Sequence, residues 1–195
     1  MPHNLDFVNL FANPVSVTGN GIYFAGEQTN HSSFKNNAAY RPSATTERPP
    51  PNASGSGLAD SIYVSGSTIY AAGTDTGTSE ACYWSGSDPI SATATSITGS
   101  GVAKSIFVSS GTIYAAGQTG SVACYWTGSS LSASPLSLSA SSSIANSICV
   151  LSGTIYIAGQ IGGATATYWT VTGGTVSSPV SLSSSNAQAN SIFVP

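Results

Sequence analysis

Residues 105–128 read SIFVSSGTIYAAGQTGSVACYWTG, and most of the chain consists of variant copies of this stretch. Its opening phrase recurs as SIYVSGSTIYAAG from Ser61, as SICVLSGTIYIAG from Ser147 and as a bare SIFVP from Ser191. The starting positions 61, 105, 147 and 191 give periods of 44, 42 and 44 residues. Repetition at this length is typical of one supersecondary unit stacked on copies of itself.

A more divergent first copy precedes the copies that begin at Ser61, Ser105 and Ser147. The stretch NPVSVTGNGIYFAG, residues 13–26, aligns with DSIYVSGSTIYAAG, residues 60–73. Tyr40 then matches the tyrosine of the later YW pairs, and Arg41 replaces the tryptophan. We therefore treat residues 1–195 as a single repeat domain. Its repeats lie at about 14–60, 61–104, 105–146 and 147–190, followed by a surplus strand at 191–195.

Each clean copy has the same internal plan. In the third copy, SIFV and TIYAA are separated by a short Ser/Gly turn, which predicts a β-hairpin. Gly117 ends this hairpin, ACYW forms a third strand, and a weaker strand near Leu136 closes the unit. No segment has the 3.6-residue hydrophobic spacing of a helix. The sequence therefore predicts an all-β protein with four strands per repeat.

The predicted strands carry apolar or small side chains on both faces, so each small sheet is expected to lie between two neighbours. Four short strands in about 44 residues, covered by similar units, favour a β-propeller. We predict an array of four such blades plus one extra C-terminal strand. The alternative is a stacked β-solenoid, although solenoid repeats are usually shorter, at about half this length or less.

The repeat pattern also carries a resemblance. A-N-S-I-x-V-x-x-G-T-I-Y-x-A-G, followed by A-C-Y-W-x-G, resembles the repeats of uncharacterised bacterial β-propeller-like proteins. It is similar to WD and kelch blades in period and strand plan only, since the WD dipeptide is missing. The resemblance covers about residues 14–195 and implies the propeller fold. It implies no particular activity, because propellers serve as hydrolases, lectins, scaffolds and fibre subunits.

The amino-acid composition of the chain excludes some classes of function. Charged residues make up 6% of the chain, against roughly 25% in ordinary soluble domains. Four Lys and Arg residues and a net charge of -3 provide no basic stripe, which excludes nucleic-acid binding. The Ser/Thr/Gly-rich surface favours an extracellular or cell-surface location, with no signal peptide visible in this chain. No apolar run approaches the roughly 18 residues of a membrane span.

The titratable residues form no catalytic constellation. The seven acidic residues are scattered over turns, His3 and His31 lie near the N-terminus, and no serine stands in a G-x-S-x-G elbow. In the turn at residues 73–80, side chains with oxygen atoms stand at alternating positions, as they do in a calcium-binding loop. The equivalent turns of the other repeats contain no acidic residue. We therefore predict that the protein is not an enzyme and holds neither a metal nor a cofactor.

Trp84, Trp126 and Trp169 recur once per repeat beside tyrosines and admit two interpretations. Their aromatic faces would suit a ring of glycan-stacking sites. An aromatic residue at a fixed strand position in every repeat is more typical of a core that seals one repeat against the next. Cys82 and Cys124 share another repeat position, occupied elsewhere by alanine or threonine, which favours a packing role.

Residues 27–57 depart most from the repeat pattern. Within them, residues 42–57 form a Pro/Ser-rich run that predicts an exposed loop. Two sequons begin at Asn30 and Asn52, and they predict N-glycosylation sites if the protein passes through a compartment that glycosylates. A recognition module for glycan or protein would use this region or the turns between strands.

The surplus strand indicates how chains would associate. It repeats the first strand of a copy and consists of Ser191, Ile192, Phe193 and Val194. We expect residues 187–195 to pair with the sheet of a neighbouring subunit, which gives a ring or a filament. The rival arrangement places SIFVP beside residues 5–11 of the same chain.

The sequence thus predicts a non-catalytic structural subunit of a surface or extracellular assembly. The alternative is a glycan- or protein-binding propeller.

Overall fold

A computed structural model describes residues 13–18, 21–30, 35–40, 57–75, 77–87, 93–131, 134–139, 141–183 and 185–195. For residues 13–40 and for 57, 93, 94, 98 and 99, only the strand backbone is described. The predictions for Asn52, for most of the 42–57 loop and for residues 5–11 therefore lie outside the described residues. Asn30 is the last residue of a strand.

Every described regular element is a β-strand, which confirms the all-β prediction. In chain order the strands are β1 (Asn13–Thr18), β2 (Gly21–Asn30), β3 (Lys35–Tyr40), β4 (Gly57–Ser65), β5 (Thr68–Asp75), β6 (Glu80–Gly86), β7 (Thr93–Ser109), β8 (Thr112–Thr119), β9 (Val122–Gly128), β10 (Leu136–Ser137), β11 (Ser143–Leu151), β12 (Thr154–Ile161), β13 (Thr165–Thr172), β14 (Thr175–Val176) and β15 (Val180–Ser181). Among the described residues, no helix is long and apolar enough to span a membrane.

The strands form three antiparallel sheets, and none of them closes on itself. The sheet orders are β1-β2-β3, then β10-β9-β8-β7-β6-β5-β4, then β11-β12-β13-β14 with β15 also paired to β13. The long strand β7 pairs with β6 up to Ser100 and with β8 from Gly101 onward. The middle sheet therefore consists of two four-stranded units, the second and third repeats, that share one continuous strand.

The first hairpin of each clean repeat has the same register and the same irregularity. The pairing shifts by one residue just before Ser61, Ser105 and Ser147. At this bulge a Cβ built on Gly117 would lie 1.9 Å from the carbonyl oxygen of Val102. The two backbones approach closely at the bulge, and this explains why a glycine follows every TIYxA run. The prediction that Gly117 ends the hairpin is wrong, because β8 continues past it to Thr119 and stays paired with β7.

The repeats stack in sequence order, and apolar layers fill the spaces between them. We call the side of a repeat that is turned toward the following repeat its front face, and the opposite side its back face. The layer between the second and third repeats joins Ala72, Tyr83 and Ile97 of one front face to Ile106 and Trp126 of the next back face. An equivalent layer joins the third and fourth repeats.

The first sheet, β1–β3, packs against β4, at the back of the second repeat. The apolar residues on that back face, including Ile62 and Trp84, are buried. Among the described strands, no extensive contact joins the first sheet to the fourth repeat, which stands at the other end of the stack. The closed four-bladed propeller therefore stays a prediction.

Candidate assembly interface

One hydrogen bond recurs between the first strands of consecutive repeats. The backbone N–H of Ile106 donates to Oγ of Ser61 at 3.1 Å, and that of Ile148 donates to Oγ of Ser105 at 3.2 Å. Ser61 is 1% exposed and Ser105 is 8% exposed, so both bonds form away from water. Because each bond joins residues 43 or 45 positions apart, it sets the stagger of one repeat on the next.

The C-terminal segment takes the same position on the fourth repeat. The backbone N–H of Ile192 donates to Oγ of Ser147 at 3.1 Å. The N–H of Ala189 donates to the carbonyl of Gly159 at 3.1 Å, and the amide of Asn146 donates to the carbonyl of Ala189 at 3.0 Å. Residues 185–195 are nevertheless assigned to no strand.

Side-chain exposure shows that the front face of the fourth repeat lacks a cover. Ile97, Leu138 and Leu182 each follow the residue that pairs with the Cys or Thr of the third strand, so they are equivalent. Ile97 is 0% exposed and Leu138 is 5% exposed, both beneath a following repeat. Leu182 is 59% exposed.

The exposure of the tyrosine in each YW pair also shows that the front face of the fourth repeat is uncovered. Tyr83 is 4% exposed, and its hydroxyl donates to the carbonyl of Ser130 in the following repeat at 3.0 Å. Tyr125 is 1% exposed, and this burial raises the pKa of its hydroxyl. Tyr168, the equivalent residue of the fourth repeat, is only half-buried.

Phe193 ends a column of side chains along the first strands. Its equivalents Tyr63 and Phe107 are half-buried and lie in contact, with ring centroids 4.7 Å apart. Phe193 is 83% exposed. We define the terminal front face as Tyr156, Tyr168, Leu182 and Phe193, four apolar or aromatic residues at the open end of the stack.

The terminal front face lies in an uncharged part of the chain. No Asp, Glu, Lys or Arg follows Lys104 in the sequence. Lys104 itself lies one repeat away, where its ammonium contacts the carboxylate of Asp60 at 3.2 Å. Burial raises the pKa of Asp60, and the charge of Lys104 offsets part of that rise. A partner could therefore cover the terminal front face without desolvating an ionised side chain.

The structure places the three candidate tryptophans inside the layers between repeats. Trp84, Trp126 and Trp169 are 3%, 1% and 0% exposed, and their indole N–H groups have no acceptor among the described atoms. A sugar could reach these rings only if neighbouring sheets separated. The glycan-stacking role of these residues therefore stays a prediction.

All three cysteines are buried, and two of them occupy equivalent sites. Cys82 and Cys124 are each 2% exposed, and Thr167 takes their place in the fourth repeat at 0% exposed. Burial is the main cause that raises the pKa of Cys82 to about 12 and that of Cys124 to about 11. Both thiols are neutral at physiological pH, and a neutral thiol is a poor nucleophile.

The turn that resembles a calcium loop is closed by ordinary hydrogen bonds. The N–H of Gly77 donates to a carboxylate oxygen of Asp75 at 2.8 Å, and the hydroxyl of Ser96 donates to Glu80. Among the described residues, no group of three or more His, Cys, Asp or Glu side chains could hold a metal ion. A shallow groove of about 670 Å³ at the third and fourth repeats is lined by Ser, Val and Leu and holds no titratable group.

Comparisons with known proteins support the fold and leave the family open. No family model matches the sequence, and no curated protein is similar enough to match. Solved structures do match, among them the crystal structure of the computationally designed Ika8 protein, with a TM-score of 0.56 at 8% sequence identity. The match covers 94% of this chain and 52% of the designed one. At this identity the likeness concerns the fold alone, and the chain spans about half the length of the designed protein.

The sequence signal for the interface is the Ser-Ile dipeptide that opens every clean copy. The pattern predicted a strand at each of these places but not the role of the serine. The hydroxyl accepts a backbone bond from the next repeat, which only the stacked arrangement reveals.

Proposed function

We propose that the protein is a non-catalytic structural subunit of a surface or extracellular assembly, in which repeats of neighbouring chains stack as they do within one chain. One observation carries the proposal. The Ile192–Ser147 hydrogen bond seats the C-terminal segment where the first strand of a repeat would lie, while the terminal front face beside it stays uncovered. The same kind of surface is buried at both internal junctions between clean repeats.

The proposed contact between chains, which we call the joint, combines strand pairing with the burial of apolar side chains. In each clean repeat the first strand pairs with the second strand of a hairpin, as β11 does with β12. Residues 187–195 offer the first strand alone, so a strand from a neighbouring subunit can complete the pair by β-strand addition. The exposed side chains of Leu182 and Phe193 would then be buried. Exposed apolar clusters on soluble proteins commonly mark such contact sites.

In this proposal the repeats are blades of a propeller-type array, and the array is completed between chains. The stacking of four-stranded units and the likeness to a designed protein of about twice the length support it.

The alternative proposal is a recognition module for glycan or protein. The exposed ring of Phe193 favours it, because aromatic faces stack on the apolar faces of sugars. In that case the terminal front face would bind a ligand and the chain would remain a monomer.

Light scattering coupled to size-exclusion chromatography tests the proposal. The chain has a mass of 19.5 kDa, and we expect the full-length protein to elute as a multiple of it. Deletion of residues 187–195 is expected to yield folded monomers. Phe193→Asp tests the same joint without removing the bonds to the fourth repeat. If the variants assemble just as the full chain does, the proposed joint is wrong, and a full-length monomer that binds glycans would support the alternative.

A further inference from the structure

We infer that residues 187–195 are the docking site for an antiparallel peptide strand of the pattern T-I-Y-x-A, which is the pattern of the second strand in each clean repeat. This inference rests on the proposed function, because it names the kind of strand that completes the joint. It is carried by the hydrogen bonds that hold residues 187–195 in place and by the pairing of an identical sequence inside the chain.

The fourth repeat holds residues 187–195 as each repeat holds the start of the next one. The side-chain amide of Gln160 donates to the carbonyl of Ala187 at 3.1 Å. Gln118 makes the same bond to the carbonyl of Ser143, at the start of β11. The segment therefore has the position of a first strand that its own chain fixes in place. No described strand pairs with it.

The backbone of this segment has an edge that faces away from the fourth repeat. The N–H of Ile192 donates to Ser147, and the backbone of Val194 forms a hydrogen bond with the thiol of Cys149. Contacts at alternate residues are typical of an extended chain, in which successive N–H groups point in opposite directions. The N–H of Phe193 consequently points outward, where an added strand could accept its hydrogen bond.

The sequence of the segment identifies the strand that fits it. Residues 191–194 read SIFV and are identical to residues 105–108 in β7. There SIFV pairs antiparallel with TIYAA of β8, and Phe107 lies opposite Tyr114. A strand that follows the same register would place its tyrosine opposite Phe193.

Such a strand would also bury apolar side chains that are now only partly covered. Ile106 and Val108 of β7 are 3% and 4% exposed, in one cluster with Ile113 of β8. Their counterparts Ile192 and Val194 are half-buried. The isoleucine of a T-I-Y-x-A strand would contact both, so apolar burial would add to the hydrogen bonds between the strands.

The position of residues 191–194 also decides what kind of repeat can dock here. They occupy the place of a first strand, so a complete repeat of a neighbouring subunit would bring one strand too many. The partner strand therefore belongs to a terminal repeat that lacks a first strand of its own, and residues 191–194 take the place of that strand.

A labelled peptide of residues 111–120, GTIYAAGQTG, tests the site by fluorescence anisotropy with the full chain. We expect the peptide to bind. Ile113→Asp in the peptide should weaken binding by at least about tenfold, because the aspartate would enter an apolar layer.

Two variants of the protein test the pairing at residue 193, whose side chain is 83% exposed. Phe193→Pro removes the outward N–H and should weaken peptide binding by about tenfold. The matched control, Phe193→Leu, keeps this N–H and an apolar side chain, and should bind the peptide within about threefold of the wild type. Both variants retain the bond from Ile192 to Ser147. Equal affinities of the two variants would contradict the strand pairing.

A photo-crosslinker tests the register. Benzoylphenylalanine in place of Tyr114 in the peptide should capture residues 187–195 of the protein, and capture of another segment would overturn the site. Light scattering separates this result from the proposed function. Peptide binding to a chain that stays monomeric would support the site and contradict self-association. An assembly that excess peptide neither binds nor disperses would overturn the site and leave the proposed function standing.

Discussion

Oγ of Ser147 accepts a 3.1 Å hydrogen bond from the backbone N–H of Ile192, 45 residues further along the chain. The bond reproduces the one between Ser61 and Ile106. A serine hydroxyl thus does between repeats what backbone carbonyls do within a hairpin, because it accepts a hydrogen bond from a buried backbone N–H. The C-terminal segment is held as the opening strand of a further repeat.

Ser105→Ala tests the strength of this bond. The substitution leaves the N–H of Ile148 buried without its acceptor, which should cost about 1–3 kcal/mol of unfolding free energy. Urea denaturation of the pure protein measures the effect. Ser178→Ala, at an exposed loop position, is the control and should change stability by less than about 0.5 kcal/mol. Equal unfolding midpoints for the two variants would show that the bond contributes nothing to stability.

Trp126→Ala tests the structural role of the repeated tryptophans. The side chain is 1% exposed in the layer between the second and third repeats, so its loss should cost roughly 3–5 kcal/mol. Thermal unfolding measures the change, and Leu136→Ala, at an exposed position, is the control. A variant that keeps its melting temperature but no longer binds glycans would favour the sugar-stacking interpretation instead.

Two glycine substitutions separate steric crowding from backbone strain. A Cβ at position 117 would overlap the carbonyl oxygen of Val102 at 1.9 Å, so Gly117→Ala should cost roughly 3 kcal/mol or more as the bulge is forced apart. Gly111 has a φ of +77° and open space around it, so Gly111→Ala should cost only about 1–2 kcal/mol. Equal losses of stability in the two variants would contradict the close approach at the bulge.

Because the thiols are buried, we expect the folded protein to lose stability at alkaline pH. Burial raises the pKa of Cys82 from 9.0 to about 12, so the folded state keeps a proton that the unfolded state releases above pH 9. Stability from this site is present below pH 9 and declines between pH 9 and about 12. Urea titrations at pH 7 and pH 10 measure the decline, which should be smaller in Cys82→Ala. An identical decline in that variant would assign the effect to other groups.

Local patterns in the sequence were sufficient to predict the strands. The turns between SIFV and TIYAA and the absence of helical spacing concern residues that are near neighbours in the chain. The glycine predicted to end each hairpin instead lies inside the second strand, which continues for two more residues. The burial of Cys82, Cys124 and Thr167 also follows from the pattern, because a site that accepts only small residues is a packed site. The indoles of Trp84, Trp126 and Trp169 occupy the layers between repeats, as the structural interpretation expected.

The candidate interface was only partly visible in the sequence. The repeat pattern predicted that SIFVP is a surplus strand. Its association with a neighbouring subunit stays a prediction. Nothing in the local sequence separates Leu182 from Leu138, since both follow Ser/Leu-rich runs of similar composition. Their exposures of 59% and 5% differ because only one of them has a repeat stacked on it.

The sequence by itself determined the repeat unit and the strands within it, because hairpin formation depends on turn residues and side-chain alternation over fewer than about twenty positions. Only the tertiary structure decided how the units meet. Residues 93–109 form one continuous strand across a repeat boundary. The hydroxyls of Ser61 and Ser105 accept a hydrogen bond from the first strand of the next repeat. The reason is that these contacts join residues more than forty positions apart, whose partners depend on the stacking of whole sheets.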